Sequence, residues 1–112
     1  MILTITPAPV ANAGSDEAIC EGDVFDLSSS VTIPTASNYS TLSWSSSGTG
    51  TFDDNSSLTP DYTPSAADIT AGSVTLTLQA NGNGSCATPA TDNMIITTTP
   101  APVTNAGNEA AI

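Results

Sequence analysis

The clearest pattern in the chain is a strict alternation of apolar and polar residues over the segment 73–80. Val74, Leu76, Leu78 and Ala80 fall on one face of an extended strand there, and Ser, Thr and Gln fall on the other. Shorter segments with strand-like composition follow the same rule at 24–28, 41–47, 50–54 and 94–98. We therefore expect half-buried strands, with Leu42, Trp44, Leu76 and Leu78 in the core and with Phe25 and Leu27 on one face of the strand at 24–28.

Turns and one helical segment separate these strands. Residues 81–84 form an Asn- and Gly-rich turn between two strands, and a second turn covers 53–57. The segment 63–68 predicts a single helical turn, with Thr63 as its cap and Pro64 at the first helical position. Six or seven short strands joined in this way predict an all-β fold, an immunoglobulin-like antiparallel β-sandwich of about seven strands. A small open barrel is the alternative.

The beginning of the chain recurs at its end. Residues 1–19 and 94–112 align without gaps at an offset of 93, and 13 of the 19 positions are identical. This predicts one repeat of a tandem array. We expect residues 1–8 to be the seam and last strand of the preceding repeat, 9–99 the sandwich, and 100–112 the seam and start of the next. The strand at 2–6 then has no sheet of its own, and prolines stiffen both seams (Pro7, Pro9, Pro100, Pro102).

The charge of the chain excludes several functions. It has no Lys, Arg or His against eleven Asp and Glu, for a net charge of −11. Nucleic-acid binding depends on Lys and Arg, so no nucleic-acid partner is expected, and an anionic membrane surface is disfavoured for the same reason. No apolar run is long enough to span a membrane. Without imidazole, amine or guanidinium groups the usual catalytic bases, nucleophiles and oxyanion clamps are missing, so we expect no enzyme.

Two cysteines suggest an oxidising, extracellular setting. Cys20 lies just before one predicted strand, and Cys86 lies just beyond another. We expect a disulfide between Cys20 and Cys86 within one chain, joining loops near strand ends rather than the centres of two sheets.

The acids leave calcium as an open alternative to a chain without cofactors. Asp53, Asn55 and Ser57 offer oxygens at alternating positions, but the Gly and the distal Glu of a calcium loop are missing. At the seam, Asp16 and Glu17 are candidates to bridge repeats together with Glu109. The simpler interpretation is that all of these are solvated turn and surface residues.

Several segments carry a family resemblance. PAPVANAG, AICEGD, LSW followed by GTGTF, and YTPSAADITAGSVTLTLQA together resemble the tandem repeats of SprB-like gliding-motility adhesins of Bacteroidota, very large surface proteins with PKD-like or immunoglobulin-like repeats. The resemblance implies a PKD-like sandwich in an extracellular filament attached to the outer membrane, exported by type IX secretion and used in attachment and gliding.

Within such a filament the expected role is that of an extended spacer. Its partners would be neighbouring repeats, with the substratum or a surface polysaccharide as further partners, and an isolated repeat would be a monomer. A glycan- or calcium-binding adhesive module is the alternative.

Overall fold

The computed structural model describes residues 3, 5–30, 32–84 and 88–100. Nine strands, one short α-helix and one 3-10 helix lie in this part of the chain. In order they are β1 (Val10–Asn12), β2 (Glu17–Cys20), β3 (Phe25–Asp26), the 3-10 helix (Leu27–Ser29), β4 (Thr35–Ser37), β5 (Tyr39–Ser46), β6 (Thr51–Phe52), β7 (Asp61–Thr63), α1 (Ala66–Ala71), β8 (Ser73–Gly82) and β9 (Ala90–Thr99).

The strands form two main sheets and a two-stranded ribbon. One sheet has the order β2-β9-β8-β5, the other has the order β3-β7-β6, and β1 pairs with β4. The long hairpin of β8 and β9 is the centre of the larger sheet, with Val74 opposite Ile96 and Ala80 opposite Ala90. The predicted all-β sandwich is confirmed.

The core lies between the sheets and contains the residues that the alternation predicted. Leu42, Trp44, Leu76 and Leu78 are all buried, as expected. Each such side chain contributes roughly 1.5–3 kcal/mol relative to an exposed one. Others complete the core: Ala13, Phe25, Leu27, Tyr62, Val74, Ala80, Met94 and Ile96.

Aromatic side chains join the two sheets. The ring of Trp44 on β5 lies 6.1 Å from that of Phe52 on β6, and Phe52 lies 4.9 Å from Tyr62 on β7. The indole N–H of Trp44 donates to the carbonyl oxygen of Leu58 at 3.2 Å, so its polar atom is satisfied inside the core.

The structure differs from the sequence-based expectation at three places. Cys20 is the last residue of a strand, β2, that the pattern did not predict, and β2 runs parallel to β9 in an otherwise antiparallel sheet. The helix begins later than expected, because Ser65 rather than Thr63 is its N-cap. Three further strands of three residues each (β1, β4 and β7) were also not predicted, because they are too short to show a period of two.

Candidate functional site

Hydrogen bonds to two carboxylates hold the incoming chain against β9. The backbone N–H of Ala13 donates to Asp92 Oδ2 at 2.8 Å, and the N–H of Ile95 donates to Asp16 Oδ1 at 2.9 Å. Asp92 lies two residues after the start of β9. The chain therefore enters the sandwich at the end that carries the connection from β8 to β9, which we call the N-terminal end.

The opposite, C-terminal end is where β9 leaves the sandwich. Cys20 is paired with Thr99, and the N–H of Glu21 donates to the Thr99 carbonyl at 2.8 Å. The N–H of Thr98 donates to the Gly72 carbonyl at 2.9 Å. Because β9 is ten residues long, the two ends are about 30 Å apart.

The seam residues lie only partly in the described chain. Leu3 and Ile5 are outside every strand, and each is 83% exposed. Pro7 and Pro100 are exposed, whereas Pro9 is buried. Pro102 and the rest of 101–112 lie outside the described residues, so the predicted boundaries of the repeat stay predictions.

Of the two cysteines, only Cys20 lies in the described part of the chain. Cys20 is exposed at the C-terminal end. Cys86 lies outside the described residues, and the disulfide between them stays a prediction.

The calcium candidates are not brought together. Asp53 Oδ1 accepts from the backbone N–H groups of Asp54 at 2.7 Å and Asp61 at 2.8 Å, and the Asn55 carbonyl accepts from Trp44 N–H at 2.8 Å. These residues follow β6 in the smaller sheet, whereas Asp16 and Glu17 precede and begin β2 in the larger one.

Metal binding by the chain stays a prediction. Glu109 lies outside the described residues. Within the described residues no three acids, histidines or cysteines are grouped as metal ligands.

Two further acids, Asp26 and Asp61, lie near Asp53 on the smaller sheet, although the three are not grouped as metal ligands. Asp26 and Asp61 are register partners in β3 and β7, and Asp53 bonds to the Asp61 backbone. Partial loss of hydration raises the pKa of Asp61, and the negative charges of Asp26 and Asp53 raise it further. Hydrogen bonds from the hydroxyl and backbone N–H of Ser28 instead lower the pKa of Asp26.

The most highly connected polar group is Asp68, a buried acid on α1 that the sequence did not single out. Its Oδ2 accepts from the Tyr62 hydroxyl, from Gly50 N–H at 3.1 Å and from Ser65 N–H at 3.1 Å, and its Oδ1 accepts from Thr49 N–H at 3.2 Å. The carboxylate thus joins the helix, β7 and the loop before β6.

This contact explains the glycines of the GTG segment. A Cβ on Gly48 would overlap Asp68 Oδ1, and one on Gly50 would overlap the Tyr62 hydroxyl. Glycines at 48 and 50 leave the room that lets the backbone N–H groups of Thr49 and Gly50 approach and donate to the carboxylate. The network is structural: it fixes the fold of the smaller sheet.

The described part of the chain shows no pocket. Among its helices, none has the length and apolar character needed to cross a membrane.

Comparison with known proteins identifies the class of fold. No family model matches the chain, and no curated protein matches it. Among solved structures it is similar to the solution structure of the PKD domain from the KIAA 1837 protein, with a TM-score of 0.60 and 14% identity over 87% of this chain and 92% of that one. The fold is therefore a PKD-like, immunoglobulin-like β-sandwich.

Proposed function

We propose that the chain is a non-catalytic spacer repeat in an extracellular adhesive filament. The repeat holds its neighbours end to end, and a distal region of the same protein carries the adhesive contact. The finer assignment, a gliding-motility adhesin on the cell surface exported by type IX secretion, rests on the sequence resemblance of the PAPVANAG, AICEGD and YTPSAADITAG segments.

One observation carries the spacer role: the incoming chain and the outgoing strand lie at opposite ends of the sandwich. Asp92 holds Ala13 at one end, and Thr99 pairs with Cys20 at the other. Since residues 94–112 repeat residues 1–19, the strand that leaves one sandwich leads directly into the next. Sandwiches joined in this way add length with each copy, by roughly 40 Å if the seam is added to the span of β9.

The surface chemistry supports the same role. The outward positions of β8 are Ser73, Thr75, Thr77 and Gln79, which are uncharged and hydrogen-bonding, and the net charge of −11 disfavours association between copies. A filament needs these properties because it must stay soluble and must not fold back on itself over many repeats.

The test is to delete repeats in frame from the full-length surface protein. We expect each deleted copy to shorten the filament seen by electron microscopy by roughly 40 Å. The attachment strength of each filament should be unchanged. A matched control replaces the deleted copy with a second copy of residues 9–101, which should restore the length. Loss of attachment after one deletion, at unchanged length, would identify the repeat as a binding module instead.

A further inference from the structure

We propose that Asn83 is a site of spontaneous covalent modification, at which the side-chain amide becomes a carboxylate through a cyclic imide formed with the backbone nitrogen of Gly84. The nearby Asn81, which is also followed by glycine, is protected from the same reaction by the fold. The modification requires only a single folded chain, so it is independent of the spacer role.

The reaction uses no group beyond the chain itself and water. A hydroxide ion removes the proton from the backbone N–H of Gly84, and the nitrogen attacks Cγ of Asn83. A new N–Cγ bond forms, the Cγ–Nδ2 bond breaks, and the side-chain nitrogen leaves as ammonia. Water then opens the imide ring at either of its carbonyl groups, which gives aspartate or isoaspartate. One water is consumed and one ammonia is released for each asparagine.

Glycine after asparagine favours this ring closure for a steric reason. Without a Cβ, the following residue leaves its nitrogen open to the asparagine side chain, and its backbone rotates through the conformation that the ring requires. Two asparagines in the chain are followed directly by glycine, Asn81 and Asn83. Their local sequences are nearly the same, so the folded environment decides which of them reacts.

Asn81 is held through both its side chain and its backbone. Its Oδ1 accepts from Gln79 Nε2 at 2.8 Å, and its Nδ2 donates to Thr41 Oγ1 at 2.8 Å. Asn81 also pairs with Thr41 in the ladder of β8 and β5. The carbonyl oxygen of Gly82, the last residue of β8, accepts from Ser40 Oγ at 3.0 Å. Ring closure would have to break these contacts and turn the residue out of the extended conformation, which raises the barrier.

Asn83 lies just beyond the end of β8, where these contacts stop. It is exposed and outside every strand, and within the described part of the chain no hydrogen bond holds its side chain. Gly84 is also exposed, with φ at 47°, a conformation that glycine adopts without strain. Apart from its chain neighbours, no described residue would lie within 4 Å of a Cβ at Gly84. Hydroxide and water therefore reach the reacting atoms, and the asparagine is free to rotate.

The modification changes the surface and leaves the core intact. The last register pair of β8 with β9 is Ala80 with Ala90, so Asn83 lies beyond the paired part of this hairpin. Each event adds one negative charge to the net charge of −11. The charge is added at the N-terminal end, where Asp92 holds the incoming chain. A chain therefore gains charge as it ages, while its sandwich stays folded.

The test follows the reaction in the 112-residue chain during incubation at mildly alkaline pH, both folded and unfolded in urea. Fragmentation mass spectrometry of the peptide that carries both asparagines measures the two rates separately, from the mass gained when NH2 is replaced by OH. In the folded chain we expect Asn83 to react at least about tenfold faster than Asn81, which corresponds to about 1.4 kcal/mol in activation free energy. In urea, where the strand and its hydrogen bonds are lost, the two rates should become nearly equal.

Two variants with the same chemical change assign the product. Asn83→Gln should remove the fast reaction from the folded chain, because the longer side chain closes its ring much more slowly. Asn81→Gln, the matched control, should leave the fast reaction unchanged. Equal rates at the two asparagines of the folded native chain would overturn the proposal. So would folding that slows Asn83, relative to its rate in urea, as much as it slows Asn81.

Discussion

At the residue scale, Asp68 is the side chain on which most local contacts converge. Its two oxygens accept hydrogen bonds from Tyr62, Thr49, Gly50 and Ser65, and the residue is 3% exposed. No cation balances this charge, because the chain has no Lys, Arg or His. Hydrogen bonds alone therefore stabilise the buried carboxylate, which is possible when several donors are fixed around it.

Replacing Asp68 by Asn should destabilise the fold strongly. The Asn side chain keeps the shape but directs an NH2 group at groups that are themselves donors, leaving some of them unsatisfied. We expect a loss of about 3 kcal/mol in the free energy of unfolding, measured by urea denaturation. The control is Asp23→Asn, the same change at an exposed position, which should cost less than about 0.5 kcal/mol. Equal effects at both positions would contradict the structural role of Asp68.

The same contacts predict a pH dependence. Burial acts to raise the pKa of Asp68, but hydrogen bonds from Tyr62, Ser65, Thr49 and Gly50 outweigh it and hold the pKa below its ordinary value of 3.8. A carboxylate with a lowered folded pKa contributes stability above its unfolded pKa and loses it as the pH falls through the folded value. The stability difference between the native protein and Asp68→Asn should therefore be full near neutral pH and shrink below 3.8.

At alkaline pH the stability is expected to fall as the pH rises, the opposite of its dependence at acid pH. Burial, and then the hydrogen bond to Asp68, raise the pKa of Tyr62 above its ordinary value of 10.0. Its contribution to stability is complete below 10.0 and is lost as the pH rises through the raised value. The free energy of unfolding, measured with urea from pH 2 to 11, checks both the acid dependence from Asp68 and the alkaline dependence from Tyr62. A difference between native protein and variant that stays constant from neutral pH down to pH 2 would contradict the assignment of Asp68.

At the element scale, α1 shows how a short helix is kept in place. Ser65 Oγ accepts from the Asp68 N–H at 3.1 Å, and Asp68 Oδ2 accepts from the Ser65 N–H at 3.1 Å, which is a reciprocal capping box. Gly72 ends the helix with φ at 88°. A six-residue helix has little stability of its own, so these caps and the packing on β8 determine whether it forms.

Two serine/threonine variants separate the observed cap from the one that the sequence suggested. Ser65→Ala should cost about 1 kcal/mol, because the N–H of Asp68 loses its acceptor. Thr63→Ala is the matched control: Thr63 is exposed in β7 opposite Thr51, and its loss should cost less than about 0.5 kcal/mol. Thermal unfolding in the circular dichroism would show the difference, and the reverse order would place the cap at Thr63.

The N-terminal segment gives a second element-scale prediction. Leu3 and Ile5 are 83% exposed and outside every strand, whereas β1 packs Ala11 against the core. Deleting residues 1–6 should leave the melting temperature within about 2 °C of the full chain. Deleting residues 1–12, which removes β1, should lower it by several degrees, since about 1 kcal/mol corresponds to 4–8 °C in a small domain. A drop of several degrees for the shorter deletion would place residues 2–6 in the sheet.

The sequence predicted the long elements and the segments that contain β3 and β6, and it missed the four strands of three or four residues for a physical reason. β8 has ten residues and β5 has eight, so their alternation is visible, and Leu42, Trp44, Leu76 and Leu78 could be assigned to the core. A strand of three or four residues has at most two positions on its inward face. Two apolar positions are too few to reveal a period of two in the sequence.

The polar features were harder to predict. Asp68 is one of eleven acids, and most of its donors, the N–H groups of Thr49 and Gly50 and the hydroxyl of Tyr62, come from outside the helix that carries it. Ser65 and Thr63 are both acceptable caps in sequence, and only the end of β7 at Thr63 decides between them. The Gly-Thr-Gly segment was the available signal, because glycines at alternate positions indicate a close approach of the backbone.

At the scale of the whole molecule, charge and the seam together favour an extended array. The period 20–112 carries nine acids and no bases. Like charges repel within a screening length of about 8 Å at physiological salt, which disfavours folding of one repeat back on the next. Proline at Pro100, directly after β9, restricts the backbone at the point where bending would begin.

Small-angle X-ray scattering on proteins with one, two and four copies in tandem tests the spacer account most directly. We expect the maximum dimension to rise linearly with copy number, by roughly 40 Å per copy, because each chain enters one end of the sandwich and leaves at the other. Raising the salt to 1 M, where the screening length is about 3 Å, separates the contribution of charge from that of the seam. A four-copy protein whose radius of gyration stayed near that of a compact globule of the same length would contradict the account.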